Sequence, residues 1–358
     1  EQSRHRRACL RMCRDFNAPL IIAHTLKGNI VAKTPQTVNV HALFCAVRDD
    51  LQGILFERET AIDNALIALL TGEHYLALGP PGVGKSMLCD ELLKRIDGAQ
   101  QFKLLLNPST TPDEVLGPVD IMELSEHGRY TRRRTGSITE AHLVFLDECF
   151  KSNSVVLNAL LKIINERTLD EIGMPTVHVP LITLFAASNE TPADDSLKAF
   201  DDRFALREIV QDVTDDDTFV RMITAKSRPP AAFLTLEQVR LAQAEAAAVQ
   251  GTKEVLQRIP ELRRAVSEQG VYVSARRWKK ALGLIKAHAW LAEQPETMLE
   301  DMRILAHVLW TDPKERKAVE RLVYQAACPL DLQALEIEDQ AADLMKRVPS
   351  VDDGSYQG

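Results

Sequence analysis

The sequence lacks the features of membrane, secreted and zinc-binding proteins. None of its apolar runs approaches the roughly 20 residues that span a bilayer, and its N-terminal stretch has no signal-peptide core. The six cysteines contain no CxxC pair, which argues against zinc, and most lie in apolar segments, as buried free thiols of a reducing compartment do. No internal repeat or low-complexity tract is present. We therefore expect a cytoplasmic protein.

Negative charge exceeds positive charge outside the N-terminal stretch. The net charge of the 358 residues is −8, and residues 1–40 carry +5, so the remainder carries −13. An overall acidic field does not draw a protein to nucleic acid or to anionic lipid. The basic segment 1–40 has no helical or strand period and is left unassigned. It could contact an acidic partner or nucleic acid, but a solvated terminus is the favoured interpretation.

Helical periods and apolar strand patterns alternate over residues 41–228. Because the predicted strands are apolar on both faces, the pattern predicts an α/β domain whose parallel sheet is covered by helices on both sides. The predicted strands are YLALG (75–79), FKLLL (102–106), HLVFLD (142–147), PLITLFAAS (180–188) and FALREIV (204–210).

Strand patterns stop after Asp217, where the composition becomes rich in alanine, glutamate and glutamine. We place a domain boundary near Arg228-Pro229-Pro230, followed by an all-helical domain over 229–311 and a helical extension over 312–358. The acidic residues Asp212, Asp215, Asp216 and Asp217 are interpreted as the start of a helix, where carboxylates suit the helix dipole. Further helices are predicted over 236–249, 253–266, 274–291, 298–310, 313–327 and 330–347.

The segment GPPGVGKS fits the pattern G-x-x-x-x-G-K-[ST] and lies between a predicted strand and a predicted helix. In that context the glycines let backbone N–H groups surround phosphate oxygens, a lysine neutralises the β- and γ-phosphates, and a serine hydroxyl binds Mg²⁺. An incidental Gly-Pro turn is the weaker interpretation. The candidate nucleotide-binding residues are Gly79, Pro80, Pro81, Gly82, Val83, Gly84, Lys85, Ser86 and Met87, with Ser86 also a metal ligand.

Two further strand ends carry polar groups. LVFLDE places Asp147 and Glu148 at the carboxyl edge of the predicted sheet, where ligands bind in such folds. Asp147 is the candidate metal ligand, and Glu148 the candidate base for an attacking water. Asn189 follows another strand and could contact the γ-phosphate or that water; alone, it would more simply cap the next turn. The cofactors predicted are ATP and Mg²⁺.

Four segments together resemble the MoxR branch of the AAA+ ATPases, with RavA-type members as the nearest likeness. They are LFERETAIDNALIALLTGEHYLALGPPGVGKS, EAHLVFLDECFKSNSVVLNALLKIINERTLDE, LFAASNE and DDRFALR. The resemblance covers about residues 41–310. It implies a P-loop AAA+ core with β-hairpin insertions over 117–141 and 167–180, followed by an all-α lid. It also implies a hexameric ring and a partner with a von Willebrand A domain.

The resemblance assigns roles to individual residues. Asn189 matches sensor 1, and Arg203 matches the arginine finger that one subunit supplies to the next. Arg276 matches the sensor-2 arginine, with Arg277 as the adjacent competitor, and Arg58 lies where the adenine pocket usually forms. Alone, the Asp-Asp-Arg run at Arg203 would be a solvated helix-end ion pair of little energetic weight.

Three functions are compatible with these motifs. The favoured one is a ring-forming ATPase that remodels or activates a protein client. The second is a nucleic-acid motor or DNA-targeting accessory ATPase that uses the basic terminus and RYTRRRTG (129–136). We consider that arginine-rich stretch more typical of a solvated hairpin or a subunit contact. The third is a scaffold in which ATP sets ring geometry and turnover is incidental.

Overall fold

The structure is a computed structural model that describes residues 39–170, 175–192 and 195–328, with single positions at 330, 333, 337 and 340. Residues 1–38 of the basic segment therefore lie outside the described residues. The predicted helix over 330–347 is described at four positions only, all of them helical. Among the residues described, no helix has the length and apolar character needed to cross a membrane.

Five of the strands form the central sheet. The strands of the described residues are β1 (His74–Leu78), β2 (Ile96–Asp97), β3 (Gln101–Leu105), β4 (Leu143–Asp147), β5 (Thr168–Leu169), β6 (Val177–His178), β7 (Thr183–Ser188), β8 (Phe204–Ile209) and β9 (Leu234–Thr235). The order in the central sheet is β3-β4-β7-β1-β8, with every neighbouring pair parallel. These five correspond to the five predicted strands, so the predicted parallel α/β sheet is confirmed.

Helices surround this sheet and continue beyond it. Their apolar faces and the inner strands form one core in which Leu66, Leu76 and Phe185 are fully buried. The helices of the described residues are α1 (Val40–Gln52), α2 (Glu59–Thr71), α3 (Lys85–Leu93), α4 (Pro112–Leu116), α5 (Ile121–His127), α6 (Ser154–Glu166), α7 (Asp195–Asp201), α8 (Asp216–Thr224), α9 (Leu236–Ala248), α10 (Lys253–Glu268), α11 (Ala275–Leu291) and α12 (Arg316–Ala327).

The parallel sheet has two chemically different edges. Strands β1, β4 and β7 all end at one edge, which we call the carboxyl edge, at Leu78, Asp147 and Ser188. Strand β8 begins at the opposite edge, the amino edge, because Phe204 pairs with His74 and Ile209 pairs with Leu78. Residues just before β8 are therefore separated from the carboxyl edge by about 20 Å, at about 3.3 Å per residue.

The insertion over 117–141 is not the predicted β-hairpin. One isolated antiparallel bridge joins Val119 to Arg132, and helix α5 lies between them. Local capping explains the difference: the Asp120 side chain accepts from the second and third residues after it, and Gly128 ends the helix at φ +63°. The second insertion does contain the predicted antiparallel pair, β5 with β6; residues 171–174 lie outside the described ranges.

The acidic helix start and the helices of the C-terminal half agree with the predictions, with one exception. Asp215 caps α8 by accepting from the backbone N–H of Thr218. The exception is 298–310, where the structure has a 3₁₀-helix over Leu299–His307. Met302, Leu305 and Val308 are all fully buried there, and their spacing of three matches the three residues per turn of a 3₁₀-helix.

The C-terminal helices pack directly against the α/β core. Gln243 on α9 donates to the carbonyl oxygen of Leu69 on α2 at 2.8 Å, and Lys280 on α11 pairs with Glu73. These contacts hold the two halves together, and the boundary proposed near Arg228-Pro229-Pro230 stays a prediction.

Candidate functional site

The loop after β1 has the geometry of a phosphate cradle. Gly79 donates to the carbonyl oxygen of Ser188 at 3.2 Å, and a Cβ on Gly79 would lie 2.2 Å from the Val210 oxygen, so only glycine fits. Gly82 and Gly84 have φ of +90° and +87°, and a Cβ there would meet nothing within 4 Å. The loop is therefore anchored at its start and open along the stretch where phosphate oxygens would lie.

Lys85 is the first residue of α3, and its side chain is 8% exposed. Its Nζ donates to the carbonyl oxygens of Gly79 and Pro80, both at 2.7 Å. Burial lowers the pKa of this ammonium group, while Glu148 and Asp147 oppose that shift. A cation thus lies across the loop at the positive end of a helix, which is the electrostatic requirement for binding a polyphosphate.

Ser86 and Asp147 meet at the carboxyl edge as predicted. The Ser86 hydroxyl donates to Oδ2 of Asp147 at 2.7 Å. Among the described residues there is no group of three or more His, Cys, Asp or Glu side chains that could enclose a metal. One hydroxyl and one carboxylate suit Mg²⁺, which completes its shell with water and substrate phosphates. The two residues therefore fit a magnesium–nucleotide complex.

Glu148 and Asn189 each present an oxygen without a hydrogen bond at the same edge. Glu148 has φ +52°, and its backbone N–H donates to Oδ1 of Asp147 at 3.0 Å. Its Oε2 lies 3.4 Å from Nζ of Lys151, and this oxygen and Oδ1 of Asn189 are buried without a hydrogen bond. Buried acceptors of this kind normally have partners. Both side chains can accept from a water molecule, and an unusual backbone conformation is common at functional sites.

A cavity of about 610 Å³ adjoins the phosphate loop. Its walls are the segment after α1, the loop residues Gly82 to Gly84, the side chain of Met87 and the inner side of α8. Arg58 lines it too, but its guanidinium donates to the carbonyl oxygens of Glu57, Val83 and Gln211. Arg58 therefore braces the cavity wall, and the volume fits a purine base and its ribose.

Arg203 and Arg276 are placed at the amino edge, away from the phosphate loop of their own chain. Arg203 donates through Nε to Oδ1 of Asn165 at 3.0 Å and through Nη1 to the Ala199 oxygen at 2.7 Å. Arg276 donates to Oδ2 of Asp202 at 2.7 Å. Since these residues border the start of β8, the structure brings Arg203 and Arg276 together and separates both from Lys85.

Arg277, the competitor of Arg276, is 1% exposed. Its Nη1 donates to the carbonyl oxygen of Trp310 and to the hydroxyl of Thr311, both at 2.9 Å. Burial lowers the pKa of Arg277, Arg207 adds to this, and Asp201 and Asp202 oppose it. Arg277 therefore ties α11 to the chain after the 3₁₀-helix, whereas Arg276 is exposed and accessible to a ligand.

One arginine of RYTRRRTG is held by its own chain. Arg132 pairs with Asp113 and donates to the Gly117 oxygen, which ties the end of the insertion to its start. Tyr130 and Arg133 are exposed. Within the stretch that the nucleic-acid interpretation uses, Arg132 is therefore already paired with a carboxylate of the same chain.

An ion-pair cluster beside the cavity belongs to none of the sequence motifs. Buried Arg95 pairs with Asp50, Nη2 to Oδ2 at 2.7 Å. Nη2 of Arg228 lies 3.0 Å from Oδ1 of Asp50, and Oδ2 of Asp50 also accepts from the backbone N–H of Ala231. Arg95 follows α3 and Arg228 lines the cavity. These positions belong to no sequence motif, because Asp50 is 45 residues from Arg95 and 178 residues from Arg228.

Comparison with known proteins identifies relatives for both halves. Residues 43–242 match the family model described as the MoxR domain in MoxR-vWA-beta-propeller ternary systems, and residues 254–323 match a model of an AAA lid domain. The chain is 34% identical over 307 residues to an uncharacterized protein of Methanocaldococcus jannaschii, covering 86% of this chain and 80% of that one.

More distant relatives agree with this placement. The chaperone MoxR1 of Mycobacterium tuberculosis is 26% identical over 141 residues, which is 39% of this chain and 36% of that protein. A crystal structure of a Cytophaga hutchinsonii protein, provisionally named an ATPase, superposes with a TM-score of 0.63 at 19% identity. It covers 79% of this chain and 94% of that one, and supports the fold alone.

Proposed function

The chain belongs to the MoxR family of AAA+ ATPases, and from that premise we propose that it hydrolyses ATP in a hexameric ring of identical subunits to remodel or activate a protein client. The observation that carries this proposal is the division of the site between two edges. Lys85, Ser86, Asp147, Glu148 and Asn189 lie at the carboxyl edge, whereas Arg203 and Arg276 lie at the amino edge.

The residues at the carboxyl edge account for binding and for activation of water. The loop N–H groups and Lys85 bind the phosphates. Ser86 and Asp147 would hold Mg²⁺, which would neutralise charge on the β- and γ-phosphates. The Glu148 oxygen that has no hydrogen bond, Oε2, accepts one from the attacking water and orients it. Asn189 contacts the same water or the γ-phosphate. Positioning and charge neutralisation supply most of the catalysis in phosphoryl transfer.

A transition-state cation must then come from another subunit. An arginine side chain reaches far less than the roughly 20 Å between the two edges, so Arg203 cannot serve the site of its own chain. A neighbour that presents its amino edge to this carboxyl edge would deliver Arg203, and Arg276 beside it, to the γ-phosphate. Such an arginine is worth several orders of magnitude in rate in related chemistry.

Mixing two inactive variants tests this arrangement. Arg203→Ala subunits keep their own site but offer no arginine, and Glu148→Gln subunits offer the arginine but cannot activate water. Each variant alone should be inactive, while a 1:1 mixture should regain activity at roughly a quarter of its interfaces, as random head-to-tail mixing requires.

An inactive mixture of folded, nucleotide-binding subunits would exclude Arg203 as a residue donated to the next subunit. A wild-type protein without ATPase activity at any concentration would exclude the hydrolase itself. Slow turnover with nucleotide-dependent assembly would instead favour the scaffold. Stimulation by DNA, lost in Arg133→Ala, would favour the nucleic-acid motor.

The partner and client are proposed from different observations. The matching family model describes systems that combine a MoxR domain with a von Willebrand A protein, and we propose such a partner here. Helix α5 exposes Ile121 and Met122 at 71% and 67%, which suits contact with an unfolded client segment. Affinity isolation of the Glu148→Gln protein with ATP should retain both; recovery of neither, from cells that express them, would contradict this part.

A further inference from the structure

We propose that the outer face of α8, formed by Phe219, Val220 and Ile223, binds a second copy of this chain, the copy whose Arg203 completes the adjoining site. This inference rests on the proposed function. It adds a specific contact surface, and it makes α8 the element that touches nucleotide on one side and a neighbour on the other.

Helix α8 has little to stabilise it within one chain. It is nine residues long, and none of them is buried. Its attachments are the Arg221 guanidinium over the Phe56 ring at 5.5 Å and the capping region, where Glu57 accepts from the backbone N–H groups of Thr214 and Asp215 at 2.9 Å. Helices this short are marginal without packing partners, so α8 needs further contacts.

The two sides of α8 differ in what they face. Met222 and Ala225 line the cavity beside the phosphate loop. On the other side Phe219, Val220 and Ile223 are 46%, 54% and 63% exposed, and their i, i+1, i+4 spacing places them together. Contiguous exposed apolar side chains of this kind typically mark an interaction site.

Charge identifies the occupant as a second copy. The segment that starts α8 exposes Asp212, Asp215, Asp216 and Asp217. The amino edge of the chain carries Arg203 and Arg276, with exposed Lys279 one helical turn further along α11. Of the carboxylates at this edge, Asp202 pairs with Arg276 and Glu73 pairs with Lys280. A copy that presents its amino edge to this cavity therefore brings positive charge opposite negative charge.

The position of α8 also fits that copy. The copy that delivers Arg203 to the Lys85 loop must approach the rim of the cavity, and α8 forms part of that rim. Nucleotide on the inner side and the neighbour on the outer side would each stabilise the same helix. By linkage, nucleotide then strengthens assembly by the same factor by which assembly strengthens nucleotide binding.

Placing Val220→Glu on one member of the complementing pair tests the direction of this contact. On the Arg203→Ala subunit, whose site is used, Val220→Glu should reduce the restored activity by about tenfold or more, since it puts a charge into an apolar interface. On the Glu148→Gln subunit, which only donates its arginine, the same substitution should leave most of the restored activity. Leu256→Glu, at a 46% exposed position on α10, is the matched control and should have no effect on either subunit.

Several outcomes would overturn the inference. Equal loss with Val220→Glu on either subunit, or no loss on either, would show that α8 does not face the arginine donor. Unchanged complementation with loss of another protein from an affinity isolate would assign the face to that protein. If the pair without Val220→Glu fails to complement, the proposed function fails and this inference falls with it. Binding of a fluorescent ADP analogue to dilute Val220→Glu protein, equal to wild type, verifies that the cavity is intact.

Discussion

The buried guanidinium of Arg95 lies 2.7 Å from the carboxylate of Asp50, and this pair joins the end of α3 to α1. Arg95 is 0% exposed and Asp50 is 7% exposed. Asp50 also pairs with Arg228 and accepts from the backbone N–H of Ala231, just before the helical half of the chain. The helix that starts at the phosphate loop is thus connected at its far end to the segment that leads to the lid.

Removal of one partner of that pair should destabilise the protein strongly. We expect Asp50→Asn to lower the free energy of unfolding by up to about 3–5 kcal/mol, because it removes one of the two carboxylates that neutralise buried Arg95 and leaves only Glu91. Asp90→Asn, which breaks the exposed pair with Lys103, should cost less than about 1 kcal/mol. Urea denaturation measures both, and equal effects would contradict the structural role of Asp50.

Glu148 should show opposite effects on stability and activity. Its φ of +52° is unfavourable for a residue with a Cβ, so Glu148→Gly should raise the free energy of unfolding by up to about 1 kcal/mol while abolishing ATP hydrolysis. Exposed Glu293 has φ +60° and provides the matched control. Glu293→Gly should stabilise similarly and leave hydrolysis unchanged. Loss of stability in Glu148→Gly would mean that the carboxylate stabilises the fold.

Substitution of Arg277 should affect stability, whereas substitution of Arg276 should affect ATP turnover. Arg277→Met should destabilise the protein by about 1–3 kcal/mol, because it leaves the Trp310 carbonyl oxygen without its buried donor. Arg276→Met should leave urea unfolding nearly unchanged, since its pair with Asp202 is exposed, and should lower turnover in the assembled enzyme. Full turnover in folded Arg276→Met would remove its proposed contact with the neighbour's nucleotide.

Stability should depend on pH through Glu208. Burial would raise the pKa of this carboxyl group, but His307, Arg316 and Asn64 outweigh it and the pKa is lowered from 4.5. A lowered pKa contributes stability above the unfolded value, and that contribution is lost as the pH falls through the folded value. Glu208→Gln should therefore be destabilised most at pH 7, and its difference from wild type should shrink below about pH 4.5.

The measurement for Glu208 is the urea midpoint as a function of pH. Exposed Glu268→Gln at the end of α10 is the control and should follow wild type throughout. A difference between Glu208→Gln and wild type that stays constant from pH 7 to pH 3 would show that the carboxylate charge makes no contribution.

The core and the phosphate site could be predicted because their determinants are local in sequence. Apolar runs of four residues specify β1, β4 and β7, and polar residues beyond those runs carry the site, as at Lys85, Asp147 and Asn189. The motif order also indicated a MoxR relative. The nearer likeness to RavA-type members has no specific support from the comparisons.

The remaining features depend on distant or subtle determinants. The insertion forms a helix because Asp120 and Gly128 cap it. The family resemblance predicts a hairpin there and takes no account of these local capping residues. The packing of the 3₁₀-helix and the pairing of Arg95 with Asp50 depend on partners far along the chain. The separation of Arg276 from the phosphate loop of its own chain could not be predicted without knowing how the strands pair. The helical period of α11 does not indicate which edge of the sheet the helix reaches.

The two unlike edges of the parallel sheet also determine which symmetries an assembly can have. A contact that joins a carboxyl edge to an amino edge uses different surfaces on its two sides, so no two-fold axis can relate the subunits across it. Every such contact leaves one free edge of each kind until the circle closes. A small error in the angle between subunits would therefore produce an open spiral that keeps growing, and single-particle images of interface variants should show lock-washer shapes before they show dimers.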